Sequence, residues 1–458
     1  MTGVPDWLAA ELDTVPDHTA FAGVDELAAE AGRIAAAHPE VVTARRIGTS
    51  ALGDPLHCLT VRGGPQEAVV FGLPHPNEPI GGLTTLHLAR RLAEDADLRA
   101  RLGHTWHLVP CIDPDGLRLN EGWLAGPFTR EHYARHFYRP AGAEQVEWTF
   151  PLDHGGAYFD AVLPETFALM RLIDAHSPAL MASLHNAELG GVYYYLSRDE
   201  PALYPVLQGV PALLDLPLHR GEPEAPWIPV LADGVYKTLD IRDAFDHFAR
   251  TGRADTLSGG NSTASYAEPH GTLTLVSELP YWQDPRFSDT TPTVERYADV
   301  LRAHAADLAD LAAVLRDGLT AVDGLASVES PFLRATRFYA RTTADLAEDM
   351  EHRGTRPEAD RPATVAEVVS GADAVHMYRL RYGGMLVRAL EAELALGNVR
   401  PGIRRAHADL SGRYDTWLAA AAADSHARPI PIKKLVATQY ASVIAAAAHL
   451  ADRSARPR

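Results

Sequence analysis

Apolar and polar positions along the chain alternate between two periods up to about Asp289 and keep to one thereafter. In "VDELAAEAGRIAAAHPEVV" (Val24 to Val42) apolar residues recur at three- and four-residue spacing and stop at His38-Pro39, which predicts an amphipathic helix. "HCLTVRGG" and "EAVVFGLPH" are short β-branched or apolar runs bounded by Gly and Pro, the pattern of strands, and "GGLTTLHLARRLAEDADL" is helical again. "TWHLVPCID", "ALMASLHNA", "GVYYYLS" and "GTLTLVSEL" read as further strands, with "PETFALMRLIDAH" as a helix between two of them. Strands alternating with helices predict an α/β sheet covered on both faces. From "TPTVERYADVLRAHAADLADLAAVLRDGL" onward only the helical period remains, broken at "RGTRPEADRPAT" and "SHARPIPIKK", so an α-helical C-terminal domain is expected. The domains are drawn at 1–290 and 291–458. Two domains suit a length above the roughly 250 to 300 residues at which single cores stop growing.

Composition changes this picture little. Hydrophobic residues make up 46% and charged residues 22%, an ordinary globular balance. With 60 acidic against 42 basic side chains the net charge is −18, which repels a polyanion, so nucleic acid is not an expected partner. Cys58 and Cys111 lie in apolar, strand-like runs and read as buried thiols rather than a disulfide framework. The first residues carry acids where a signal peptide carries bases, and no apolar run reaches a membrane span; the expected location is cytoplasmic, with no membrane partner.

Candidate chemistry gathers where apolar runs end. Ligands collect at the carboxyl ends of strands in an open α/β sheet, because loops converge there and helix N-termini add positive potential. "GLPHPNEPIGG" puts His75 and Glu78 in a proline-stiffened loop at such an end. Imidazole and carboxylate suit Zn²⁺, but a catalytic zinc needs a third protein ligand and an open position. His185 ends the run "ALMASLH", and Glu278 stands near the end of "GTLTLVSEL", where an acid is costly unless paired or functional. Taken singly, each has an ordinary structural reading: a polar turn, a hydrogen-bonded strand-end histidine, an ion-pair partner.

Taken in order, H-x-x-E, then His185, then Glu278 resembles the zinc metallocarboxypeptidases of the carboxypeptidase A type. "RIGTSALGDPL" is similar to that family's G-x-S-x-x-G stretch, "DPDG" (Asp113 to Gly116) to its N-P-D-G, and "SGGNSTASY" to the segment before its catalytic glutamate. The resemblance spans about Val24 to Trp282. It implies a carboxypeptidase-like mixed sheet flanked by helices and one Zn²⁺ ion held by His75, Glu78 and His185. Glu278 is then the base that takes the water's proton and passes it to the leaving amine. The family's oxyanion-stabilising arginine is best matched by Arg130 in "GPFTREHYARHFYRP", with Arg135 and Arg139 behind it and a surface helix charge as the alternative.

The pattern breaks at substrate recognition. The family holds a terminal carboxylate with an Asn-Arg pair in N-R-N, whereas "QVEWTFP" puts Glu147 and Trp148 there. A guanidinium would pair with a carboxylate; Glu147 repels one and attracts an amine or guanidine. A buried structural acid is the other reading. The family's phenolic residue before S-G-G is replaced by Ala254 and Asp255, with Tyr266 as its substitute, and Asn186 joins the expected substrate-binding set. The expected activity is hydrolysis of a peptide or amide bond with altered substrate recognition. A deacylase or amidase acting on an N-acyl amino acid or small metabolite is the alternative, and a non-catalytic zinc-binding scaffold is the alternative of another class. His132 and His136, four residues apart, read as a solvated helix face, "VYYYLS" as strand core, and "PIPIKKLVATQYASV" as a packed helix with a charged edge. The C-terminal helices are candidates for homo-oligomer contacts, and the expected partner is a small peptide or amide substrate.

Overall fold

The computed structural model describes residues 3–221, 223–225, 227–250 and 259–455; Ser258, Ala254 and Asp255 lie outside them. Up to Glu278 the strands in chain order are β1 Val42–Thr49, β2 Pro55–Val61, β3 Gln66–Gly72, β4 His104–Val109, β5 Leu152–His154, β6 Ala157–Phe159, β7 Leu180–His185, β8 Tyr193–Leu196, β9 Val230–Ala232, β10 Val235–Lys237 and β11 Leu273–Glu278. Nine of them form one sheet in the order β1-β2-β4-β3-β7-β11-β8-β10-β9, and β5 and β6 make a separate hairpin. Its centre is parallel, with β4, β3, β7 and β11 running together, and its flanks are antiparallel at β1-β2-β4 and β11-β8. The mixed α/β sheet expected from sequence is therefore present.

The central strands are near-continuous apolar runs because both faces are covered. Val69, Phe71, Val109 and Met181 pack with Leu169 and Ile173 of the helix Pro164–His176 on one face. The helix Ile80–Glu94 reaches the other face, and glycine is what permits its close approach. A Cβ on Gly72 would lie 2.5 Å from the carbonyl carbon of Gly81, and one on Gly81 would lie 2.8 Å from Cβ of Leu184. The closing helix Ile432–Ala455 also meets this face, through Ser442 against Ser277 of β11 at 2.7 Å. Both cysteines are free; burial pushes the Cys58 thiol up to about 11.

The chain forms two compact units. The first comprises 1–125, 142–281 and 430–458 and holds the sheet; the second comprises 126–141 and 282–429. In the second, the helices Tyr297–Val322, Pro331–Gly354, Val365–Ala395 and Pro401–Asp424 join the short helix Arg130–His136. Leu301, Ala305, Leu308, Leu311, Ala312 and Leu315 recur on the buried side of the first of these, as its period demands. The break at "ADRPAT" becomes a capping box, with the Thr364 N–H donating to Glu367 Oε2 at 2.8 Å and the Glu367 N–H to Thr364 Oγ1 at 3.2 Å.

This grouping differs from a division at 290. The closing helix belongs with the sheet, and 126–141 belongs with the helices. The physical reason for the placement of the closing helix lies at the crossings after 281 and 429. Trp282 pairs with Pro429 and Gln283 with Arg428 in the second unit, while the Ile430 N–H donates to the Tyr281 carbonyl at 2.9 Å in the first. Entry and exit are thus side by side, and the helical segment is an insertion. Among the described residues no helix is long and apolar enough to cross a membrane.

Candidate functional site

Three adjacent parallel strands, β3, β7 and β11, end on the same side of the sheet, and each delivers candidate ligands there. After Gly72 the chain turns through Leu73, a buried residue with φ of 61°, into the loop that carries His75 and Glu78. A left-handed backbone at a leucine costs of order 1–3 kcal/mol and persists only where the surroundings impose it. Here Pro74, Pro76 and Pro79 leave the loop few alternatives. His185 ends β7 and Glu278 ends β11 in register with it, while Tyr193 of β8 stands opposite Glu278. One level across three strands therefore carries His185, Glu278 and Tyr193 on one face.

Ligand atoms of His75, Glu78 and His185 lie within 4.8 Å of one another, and all three residues are buried. The two imidazoles meet edge to face with centroids 4.9 Å apart. His185 Nδ1 is 3.1 Å from Glu78 Oε2 and 3.7 Å from Glu278 Oε1. Burial disfavours charge on this ring, but Glu147, Glu78 and Glu278 outweigh it and hold the imidazole well above its usual range. Acids crowded around two imidazoles in a buried pocket are a donor set that a divalent cation neutralises, and two His with one Glu suit Zn²⁺. The residues present fit the ion that the sequence motif implies.

Support comes from further side chains. The Asn186 N–H donates to Glu78 Oε2 at 3.2 Å, and Asn186 Oδ1 accepts from the Tyr281 hydroxyl at 3.0 Å, which also donates to the Asn77 carbonyl at 2.7 Å. Asn186 thus braces the loop. Gln439 of the closing helix donates to the His185 carbonyl at 2.8 Å. Nothing in the sequence marks Gln439, which lies far along the chain in an Ala-rich helix.

Glu147 is buried beside His185. Its Oε1 accepts from the Thr263 N–H at 3.2 Å and from the Thr263 hydroxyl, and its Oε2 accepts from Ser183 Oγ at 3.3 Å. Trp148 is half-buried, and its carbonyl accepts from the Gly260 N–H at 2.7 Å. A Cβ on Gly260 would lie 2.1 Å from the Phe150 carbonyl oxygen, so the Gly-Gly stretch is needed for these two segments to clasp. Tyr266 donates its hydroxyl to Asp174 at 3.0 Å and packs on Phe150, a structural engagement. Tyr193 donates to Glu224 Oε1 at 2.7 Å and packs with Tyr195 and Tyr236, in keeping with strand core.

Arg130 belongs to the second unit. Its guanidinium grips both oxygens of Asp373, at 2.7 Å from Nη2 to Oδ2, and Nε approaches the Met377 sulfur at 3.2 Å. Arg135 lies 3.5 Å from Asp415 in the same unit.

A second His/Glu group, Glu67, His107 and His176, has a different character. His107 Nε2 is 2.8 Å from Glu67 Oε2, but the His107 and His176 rings stack with centroids 3.7 Å apart and planes 29° apart. In-plane lone pairs of rings stacked this way do not converge on one point. Arg45 Nη2 is also 3.2 Å from His176 Nε2. Burial, helped by Arg45, holds His107 down to about 4. The group is a polar cluster at the opposite end of the sheet.

Residues 27–211 match the family model described as zinc carboxypeptidase. Among solved structures, the chain is similar to carboxypeptidase A from Helicoverpa armigera, with 14% identity, 76% of this chain and 78% of that one covered, and a TM-score of 0.40. It is similar to a metallo-carboxypeptidase from Burkholderia cenocepacia, with 16% identity, 56% and 60% coverage and a TM-score of 0.36. A further similarity is to murein-tripeptide amidase MpaA from Escherichia coli O157, with 20% identity, 52% and 83% coverage and a TM-score of 0.28. No curated protein matches the chain.

Proposed function

We propose that the chain, a divergent member of the zinc carboxypeptidase family through residues 27–211, is a metal-dependent hydrolase of peptide or amide bonds whose substrate recognition departs from the family pattern. The observation that carries this reading is the convergence of His75, Glu78 and His185 within 4.8 Å, with Glu278 Oε1 at 3.7 Å from His185 Nδ1. The three would hold Zn²⁺, which when bound acidifies water and polarises a carbonyl. Glu278 stands beside that group, placed to take a proton at its carboxylate and return it to a leaving amine. Asn186 and Tyr281 fix Glu78 and the loop, so the donor set is organised before substrate arrives.

Recognition is the finer part of the proposal. The sequence resemblance sets Glu147 at the place of the family's carboxylate-binding arginine, and the negative charge of this buried acid opposes an anionic substrate end. A leaving side without an ordinary free α-carboxylate is preferred: a modified amino acid, a cationic group or a small acyl-amide. The test is a panel of N-acyl dipeptides in free-acid, amide and amine-terminated forms, assayed with the zinc-loaded chain. Faster cleavage of the amide or amine forms supports the reading. Efficient release of standard C-terminal residues rejects it and returns the chain to ordinary carboxypeptidase specificity.

A further inference from the structure

The side of His185 turned away from Glu78 is as organised as the side facing it. Nε2 lies 2.8 Å from Ser183 Oγ, and Ser183 Oγ lies 3.3 Å from Glu147 Oε2. Ser183 precedes His185 by two residues on β7, so strand alternation sets its hydroxyl on the same face, beside the ring. Glu147 is itself anchored, because Oε1 takes both the N–H and the hydroxyl of Thr263. Ser183, His185, Glu147 and Thr263 are all buried, so water does not compete for these bonds.

The direction of each bond follows from the carboxylate, which only accepts. Thr263 donates both its hydrogens to Oε1. Ser183 donates its hydroxyl to Oε2 and so turns its lone pairs to His185 Nε2, 2.8 Å away. Nε2 then carries a hydrogen, and Nδ1, which faces Glu78 Oε2 at 3.1 Å and Glu278 Oε1 at 3.7 Å, is the nitrogen left to give up its proton and offer its lone pair to a cation. One carboxylate, acting through one hydroxyl, selects the tautomer.

We propose that Ser183 and Glu147 are positioning residues for His185: they fix its tautomer and ring orientation and, by drawing on the Nε2 hydrogen, make Nδ1 a stronger metal donor. The proposal rests on the reading of His185 as a metal ligand. It also gives the acid at 147 a task that needs no contact with substrate, since both its oxygens are taken up inside the protein.

The experiment is a chelator competition that measures Zn²⁺ affinity of the full chain and of Ser183→Ala, Glu147→Gln and Ser183→Thr, with thermal melting of the metal-free proteins as the check on folding. Ser183→Ala and Glu147→Gln should each weaken Zn²⁺ binding by about 10- to 100-fold, while Ser183→Thr, which keeps the hydroxyl, restores it to within about 3-fold. The visible spectrum of the Co²⁺-substituted chain should shift in the first two variants and not in the third, an effect that loss of packing alone does not produce. Should Ser183→Ala fail to fold, Glu147→Gln, which keeps the side-chain shape and the Thr263 contacts, decides alone. A parent chain that binds no Zn²⁺ overturns the metal reading and this one with it. A parent that binds tightly, with both variants binding equally well, overturns the relay and leaves the metal reading standing.

Discussion

Gln439 and His185 are joined by a hydrogen bond from the buried Gln439 amide to the His185 backbone carbonyl at 2.8 Å, and the other end of that amide accepts from Thr84 Oγ1 at 2.9 Å. One side chain of the closing helix therefore ties the end of β7 to the helix Ile80–Glu94 that follows the His75 loop. Gln439→Leu leaves both partners buried without it, and should lower unfolding free energy by about 2 kcal/mol. Urea denaturation of the full chain measures this. An unchanged midpoint would remove the closing helix from the support of the strand end.

Glu278→Gln should abolish most turnover, by a factor of about 10² to 10⁴, while leaving metal content at one ion per chain. His75→Ala should instead lose the ion. The pair of measurements, turnover and metal per chain by elemental analysis, separates a proton carrier from a ligand. Equal turnover in Glu278→Gln and parent would refute the role given to this carboxylate.

Asp113, buried at the N-cap of the helix Pro114–Arg118, is pushed up to about 7, first by burial and then by Glu165 and Asp115, against a hydrogen bond from the Gly116 N–H that favours its charge. The folded chain thus binds this proton more tightly than the unfolded chain does. Its contribution to stability is greatest at low pH and is lost as pH rises from about 4 to 7, with a slope of at most about 1.4 kcal/mol per pH unit. Asp113→Asn keeps the oxygen that accepts from Gly116 and removes the titration. The difference in stability between variant and parent should therefore grow in favour of the variant across that window, and a flat difference between pH 4 and 7 would contradict it.

Arg130 and Asp373 form a largely buried, two-pronged ion pair within the second unit. Removing the guanidinium strands a carboxylate that burial already pushes above its usual range. Arg130→Ala should cost about 3 kcal/mol of stability. Differential scanning calorimetry reads the loss. If the melting profile is unchanged and only turnover falls, the arginine serves catalysis rather than the fold.

Much of the sheet-bearing unit was legible along the chain. Each of β2, β3, β4, β7, β8 and β11, and the helices Val24–Ala37, Ile80–Glu94 and Pro164–His176, overlaps a segment whose period marks it. β1 was hidden by its own solvent side: Arg45 and Arg46 sit where a buried strand would show apolar residues. His75, Glu78, His185 and Glu278 stood out because polar residues that end apolar runs are conspicuous in any window of the sequence.

The sequence by itself determined most of the buried strands and long helices and which polar groups stand at the strand ends, because period and side-chain chemistry are local. Only the tertiary structure decided that the last helix returns to the sheet while 282–429 stands as an insertion. The helices on either side of Pro429 share the same Ala- and Leu-rich period, and a period states how wide an apolar face is, never what covers it. The same holds for single side chains. Arg130 finds Asp373, Glu147 finds Ser183 and Thr263, and Gln439 finds His185 across long stretches of chain, and such pairings exist only once the packed core has brought the segments within hydrogen-bond reach.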